Sequence, residues 1–509
     1  MSTWALAAVV VAGAFVRLWG LGRQSLWIDE IITLKAANVG GVYGLGDFVG
    51  NIQGPLHAFL THWVARCSTS EVALRLPSAL AGIATILLIA ELGRRIFDRR
   101  TGFIAALLFA LSPYSVWYSQ EVRNYSLLML AAAAAMLAVW VIGHDRRRGL
   151  TSYALATLVA LYLNMSAVFM AIGHGLYLLP RLWRSPRLVP WVVTGILVVA
   201  LFIPGMWSVV RWAEADNVGE RVALATEAEP ESLLRGETTF TPAALPYAFF
   251  AMGYGYTLGP SLEELHAASP IRGFLRHLPV VAPAGLLLAA ALVLGLLRLR
   301  GRGDEALFLL ATALAPAVGA IVLALANVKP FNVRYLSPGF PAVVLLAAAG
   351  IGMLRRRPAA LLCAALVVLY GWSLRNYHVE PRYGREDVRG AVAVVEAGEA
   401  PGDAVLVPAV RDVFRHYYDG PATLTVLYPA QTGSDAEVAR RVDDLVGSAP
   451  RVWFIESRWW HVDPERRIPA HLDAAREVLS EAELPGVRVT LYGARAAEGS
   501  GHPDDASAR

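Results

Sequence analysis

Four short stretches of the chain combine residue types that can do chemistry. The first, LWIDE at 26–30, sets two adjacent acids directly after an apolar block. Burial beside lipid raises a carboxylate's pKa and makes it a usable proton acceptor or donor. Neighbouring positions on a helix face different ways, so one of Asp29 and Glu30 can meet a substrate hydroxyl while the other caps, pairs or orients. An acidic helix start is the plainer alternative. The second stretch is QGPLH at 53–57, followed by LRLPSALAG at 74–82. Its Arg75, at the mouth of an apolar block, either snorkels to headgroups or binds an anion. His57, His62 and Asp29 do not show the helix-spaced His pair with a third ligand that a zinc enzyme uses, so no catalytic metal is expected.

The third stretch, SPYSVWYSQEVRNYSLL at 112–128, holds Glu121, Arg123 and Tyr125. Aromatic belts at membrane boundaries account for Trp117 and the tyrosines. They do not account for an acid and an arginine together, which are expensive at that depth and mark substrate paths. The fourth, NVKPFNVRYLSPGFP at 327–341, contains Lys329, one of two lysines in the chain, with Arg334 and Tyr335. Two cations there fit a lipid-phosphate ligand; the bland reading is a pair of snorkelling side chains.

The elements that must position these residues follow from composition. Of 509 residues 56% are apolar and 17% charged, with a mean hydropathy of +0.47. Soluble domains carry roughly 25% charged residues, so a soluble or disordered protein is excluded. A membrane span needs roughly 20 apolar residues, and blocks of that kind begin near Trp4, Leu74, Thr101, Ser126, Ser152, Ser166, Leu188, Leu278, Ala306, Pro338 and Pro358. About eleven spans are expected. Arg17 interrupts residues 1–20, which therefore read as a retained first span rather than a cleaved signal. Cys67 and Cys363 lie far apart and support neither a disulfide framework nor a Cys-type zinc site.

The loops at 93–100, 143–148, 181–187, 298–305 and 354–358 are basic and join alternate spans. The positive-inside rule makes them cytoplasmic, which puts the amino terminus inside and the carboxyl terminus outside. The intervening loops at 22–73 and about 211–277 are long and face outward, where function is expected. Within the first, 29–38 and 55–67 have the spacing of short amphipathic helices lying on the membrane. From Arg375 onward 16 arginines face 22 acids, so this part carries −6 while residues 1–374 carry +10. The periodicity also changes there. Helices near 386–398, 411–418, 435–446 and 471–482, with strands in PGDAVLVPA, at 451–457 and at 487–492, predict a small α/β domain over 375–509. It shows no phosphate-binding Gly-rich loop. Trp459, Trp460 and His461, beside Arg458, suit either stacking on sugar rings or a packed loop after a strand.

Taken in order, LWIDE, GPLH, RLPSALAG, YSQEVRNYSLL, YGYTLGPSLEEL and VRYLSPGFP resemble the GT-C glycosyltransferases of the protein O-mannosyltransferase and lipid A aminoarabinose transferase type. The resemblance spans residues 1–374, and the α/β tail is similar to the outer domain that many bacterial members append. It implies a polytopic α-helical membrane protein of about 11 transmembrane helices with a C-terminal soluble α/β domain. It also implies a metal-independent, inverting transfer of a sugar from a polyprenyl monophosphate donor to a hydroxyl of a glycan, lipid or protein acceptor. The reaction would occur on the outer face of a bacterial inner membrane, with no cofactor and no nucleic-acid partner. By the family's acid pair Asp29 would be the general base and Glu30 its neighbour. Arg75, Arg123, Lys329 and Arg334 would bind the donor phosphate, and His57, Glu121, Tyr125 and Tyr335 would contact substrate. Where relatives carry HPPL this chain has QGPLH, so His57 follows the motif.

Two other classes compete. A flippase of lipid-linked sugars would use the same cationic mouths, but the repeated halves and paired broken spans of transporters are not found. A membrane-anchored binding protein would need one or two spans, not eleven.

Overall fold

The computed structural model describes residues 3–51, 54–144, 149–214, 240, 242, 244–266, 270–326, 328–425 and 434–495. They form two compact units, one of residues 1–24 and 29–383, the other of residues 25–28 and 384–509.

Among the described residues of the first unit seven helices are long and apolar enough to cross a membrane. These are α5 (Glu71–Ile96), α8 (Tyr125–His144), α11 (Leu188–Glu214), α14 (Pro270–Arg298), α15 (Gly303–Leu325), the segment Val333–Met353, which ends in α16 (Phe340–Met353), and α17 (Arg356–Val379). The pair α6 (Arg99–Leu111) and α7 (Pro113–Ser119) is long and apolar enough only when taken together, and is bent by 55° at Ser112. Three shorter apolar helices complete the set: α1 (Thr3–Leu18), α9 (Leu150–Leu163) and α10 (Ala167–Leu182). The protein is a multi-pass membrane protein, and each predicted apolar block corresponds to one of these elements. The last span runs on to Val379, past residue 374.

Local chemistry sets the breaks. Ser70 caps α5 by accepting from the Ala73 N–H, and Asp98 caps α6 through Thr101. Pro113 has no N–H to continue α6, while the Ser112 hydroxyl caps α7. Small residues let spans meet closely: a Cβ on Gly93 would lie 2.7 Å from the Gly102 Cα.

Above the spans, α2 (Ile28–Ala36), α3 (Leu45–Gly50) and α4 (Pro55–Cys67) fill the first long loop. Two of these match the predicted surface helices; α3 is an addition. Of the second long loop, α12 (Ala244–Tyr254) and α13 (Leu262–His266) are described, and 215–239 lies outside the described residues, as do Gln53, 145–148, Asn327 and the tail from 496.

The second unit contains α18 (Val388–Gly398), α19 (Arg411–Tyr417), α20 (Asp435–Val446), α21 (Trp459–Val462) and α22 (Arg467–Ala475) around a sheet of order β2-β1-β3-β5-β4. Strands β1 (Ala404–Leu406), β2 (Thr423–Thr425) and β3 (Arg451–Glu456) are parallel, and β5 (Val487–Ala494) runs antiparallel to β3. Helices α20 and α22 bury Val438, Val442, Val446, Ile468 and Leu472 against Leu406, Val452 and Phe454. One expectation is corrected. The helix predicted over 471–482 stops at Ala475, and Arg476–Leu484 is strand β4. Its pairing with β5 around a turn at Gly486 (φ 66°) overrides the helix preference of its Glu, Ala and Leu residues. Trp459 and Trp460 sit in the short α21 with rings edge to face, and Arg466 lies over Trp459.

Candidate active site

The two acids of LWIDE occupy the first turn of α2, where the helix dipole favours negative charge, and they part company there. Glu30 points inward and is completely buried. It accepts from Arg75 Nε at 2.9 Å and Nη2 at 2.8 Å, and from the Val122 N–H at 2.7 Å. Arg75 spends its remaining donors on the carbonyls of Leu21 and Gln24, at 2.9 and 2.8 Å. Arg75, expected at the donor phosphate, is 1% exposed and turned to protein acceptors, and Glu30 is its counter-ion, the pairing role expected for one of the two acids. The pair ties α5 to the start of α2 and to the loop after α7.

Asp29 turns to a more open side. Its Oδ2 lies 2.6 Å from Arg334 Nη1 and 3.7 Å from Arg123 Nη2. Arg123 also donates to the Asp29 carbonyl and to Thr33 Oγ1, both at 3.1 Å. Thr33, one turn on from Asp29, has no sequence signal that marks it for the site. Arg334 comes from a 3₁₀ turn, Val333–Gly339, whose entry is capped by the Asn332 side chain. The Tyr114 hydroxyl donates to the Val333 carbonyl at 3.1 Å and pins that turn from α7.

Aromatic rings organise the cations. The Arg123 guanidinium lies over Tyr125 and that of Arg334 over Tyr335, each at 5.7 Å, while Lys329 Nζ lies 4.6 Å from the Tyr335 ring. Asp29, Arg123, Tyr125, Lys329, Arg334 and Tyr335 thus converge from three parts of the chain. The Asp29 carboxylate meets two of these cations, and Lys329 joins them through the Tyr335 ring. Glu121 is buried beside this loop. Tyr125 packs on Tyr118, whose hydroxyl meets that of Tyr256 at 2.7 Å.

His57, in the first turn of α4, lines a small cavity with Thr33, Asn51, Arg123 and Asn124. Burial, reinforced by the Arg123 charge, pushes its imidazole down to about 3, so it is neutral at ordinary pH. Gly54, just before α4, has φ 120° and touches the Leu163 backbone and Asn124, a fit that a side chain would obstruct. Among the described residues no group of three His, Cys, Asp or Glu side chains is assembled as a metal site.

A groove of about 200 Å³ with a mainly apolar lining opens between α12, α14, α15 and the segment after Arg334. Leu336, Phe340, Val344, Ala317, Leu288 and Met252 are among its walls. Leu336 is two residues from Arg334, so the 3₁₀ turn carries both a cation of the cluster and part of the groove wall.

The helical scaffold has counterparts among solved membrane proteins. Residues 53–207 match the family model described as dolichyl-phosphate-mannose-protein mannosyltransferase. Solved structures extend the likeness over the rest of the chain. ArnT from Cupriavidus metallidurans in the apo state superposes with a TM-score of 0.58 at 13% identity, covering 96% of this chain and 97% of that one. The same protein bound to undecaprenyl phosphate gives 0.57 at 14% identity, covering 96% and 98%. The oligosaccharyltransferase of Archaeoglobus fulgidus, in complex with Zn and sulfate, gives 0.52 at 12% identity, covering 96% and 72%. No curated protein matches the sequence.

Proposed function

We propose that the protein is an integral membrane glycosyltransferase that moves a sugar from a polyprenyl monophosphate to an acceptor hydroxyl. The observation that carries this reading is the Asp29 carboxylate held between Arg123 and Arg334, the latter on a 3₁₀ turn whose Leu336 lines an apolar groove. A lipid phosphate needs both features, cations for its head and hydrocarbon for its tail.

The chemistry follows from the residues. The donor phosphodiester carries one negative charge. When the bond from the anomeric carbon to the phosphate oxygen breaks, the electron pair stays on the phosphate, which gains a second charge. Arg123, Arg334 and Lys329 stabilise that growing charge from fixed positions. Asp29 accepts the acceptor's hydroxyl proton as the oxygen attacks the opposite face of the anomeric carbon, so configuration inverts. Without donor, Arg334 and Asp29 satisfy each other. A phosphate that draws Arg334 away leaves Asp29 with less positive charge beside it and hence a stronger base, which links base strength to donor occupancy. His57 and the Thr33 hydroxyl, on the Arg123 side, are placed to read sugar or acceptor hydroxyls.

The orientation belongs to the same reading. By the positive-inside rule the basic loops are assigned to the cytoplasmic face, an assignment that puts the site and residues 384–509 outside, in a bacterium beyond the inner membrane. Partners are the polyprenyl-phosphate sugar, membrane lipids and a glycan, lipid or protein acceptor. The test is turnover by the lipid-reconstituted protein of a panel of polyprenyl monophosphate sugars. Release of lipid phosphate from at least one donor supports the reading; stable binding with no release from any donor in the presence of native membrane extract overturns it.

A further inference from the structure

The bend between α6 and α7 leaves carbonyls at the end of α6 without helical N–H partners, because Pro113 cannot donate. In a span no water compensates them. Arg17, from α1, takes this role. It is completely buried, its Nη1 donates to the carbonyls of Ala110 at 2.6 Å and Gly13 at 2.9 Å, and its Nη2 to the Phe109 carbonyl at 3.2 Å. The same guanidinium reaches into α7, with Nη2 2.7 Å from Ser115 Oγ and Nε 3.2 Å from Ser119 Oγ. All five contacts are to neutral oxygens, so the cost of placing an arginine in a span is not offset by an ion pair. Gly82 makes room for it: a Cβ there would lie 2.7 Å from Nε and closer still to Ser119 Oγ.

The loop after α7 serves the candidate site. Gln120 Nε2 donates to the carbonyls of Arg17 at 2.9 Å and Trp19 at 2.8 Å, at the end of α1. Val122 then donates to Glu30, and Arg123 reaches Asp29. Residues 120–124 belong to no helix, so the direction of α7 decides where Arg123 lies.

We propose that Arg17 is a positioning residue for transfer: by capping α6 and pinning α7 it sets Arg123 against Asp29 and the donor phosphate. This rests on the reading of the site as a lipid-phosphate site. It makes a specific statement about coupling, because a residue that acts through Arg123 loses its effect once Arg123 is already compromised.

The experiment is a double-mutant cycle on the full-length protein in nanodiscs, titrated with undecaprenyl phosphate and followed by native mass spectrometry. Arg17→Lys and Arg123→Lys should each weaken binding about tenfold, the scale of losing one charge-assisted hydrogen bond. The double variant should bind no more weakly than Arg123→Lys alone. Gly82→Ala, which crowds the guanidinium and the Ser119 hydroxyl it meets without removing a polar group, should behave like Arg17→Lys and carries the cycle if Arg17→Lys yields no folded protein. Losses that multiply in the double variant, or fall only in parallel with melting temperature, overturn the proposal while leaving the lipid-phosphate site intact. Wild-type protein that binds no lipid phosphate overturns both.

Discussion

Asp29 Oδ2 and Arg334 Nη1 are 2.6 Å apart across 305 residues of chain. The contact joins the loop after the first span to the turn before the last but one. It gives the acid pair unequal roles, since Glu30, one residue on, is buried against Arg75.

Glu30 and Arg75 therefore act on stability. Removing one partner of a buried pair leaves an uncompensated charge and costs about 3–5 kcal/mol. Glu30→Gln and Arg75→Ala should lower the melting temperature and the yield of monodisperse protein, as read by fluorescence-detected size exclusion after heating. Either variant melting like wild type but failing in turnover would return the pair to the chemistry.

Acid sensitivity follows from His57. Its folded pKa is depressed to about 3 against roughly 6.5 when unfolded, so the unfolded state takes up the proton first. The neutral, buried ring contributes its full stability above about pH 6.5, and that contribution is lost as pH falls from 6.5 towards 3. Melting temperature should decline on acidification through this window, and less steeply in His57→Gln. Equal slopes in the two proteins would contradict the assignment.

The apolar groove makes a chain-length prediction. Ala317→Phe fills space between α15 and the wall around Leu336 and Phe340. Each buried CH₂ is worth roughly 0.8 kcal/mol. The variant should lose affinity for an undecaprenyl donor by about tenfold or more while changing a geranyl analogue little. Equal losses for both would move the tail out of this groove.

How much of the molecule is legible in its sequence is clear from particular residues. Spans announce themselves because lipid demands continuous apolar length, and the starts of α5, α8 and α11 lie within three residues of their expected positions. Asp29, Arg123 and Arg334 can be picked out as costly charges at span mouths, but not their meeting, which depends on contacts far apart in sequence. Arg75 carries the same signal as Arg123. Only its position opposite Glu30 separates a buried counter-ion from a cation turned to an open site. Arg17 is visible as an arginine inside an apolar block, and its task is hidden because its acceptors are backbone carbonyls 92 and 93 residues away. Strand β4 reads as helix by propensity, and only its hairpin with β5 makes it a strand.

The central claim is tested most directly by lipid-phosphate release from a productive polyprenyl monophosphate sugar, comparing wild type with Asp29→Asn in reconstituted membranes. Loss of the base should cost about 10²–10⁴ in turnover, while donor binding stays within a few-fold because Arg123, Arg334 and Lys329 remain. Unchanged turnover in Asp29→Asn would contradict the account.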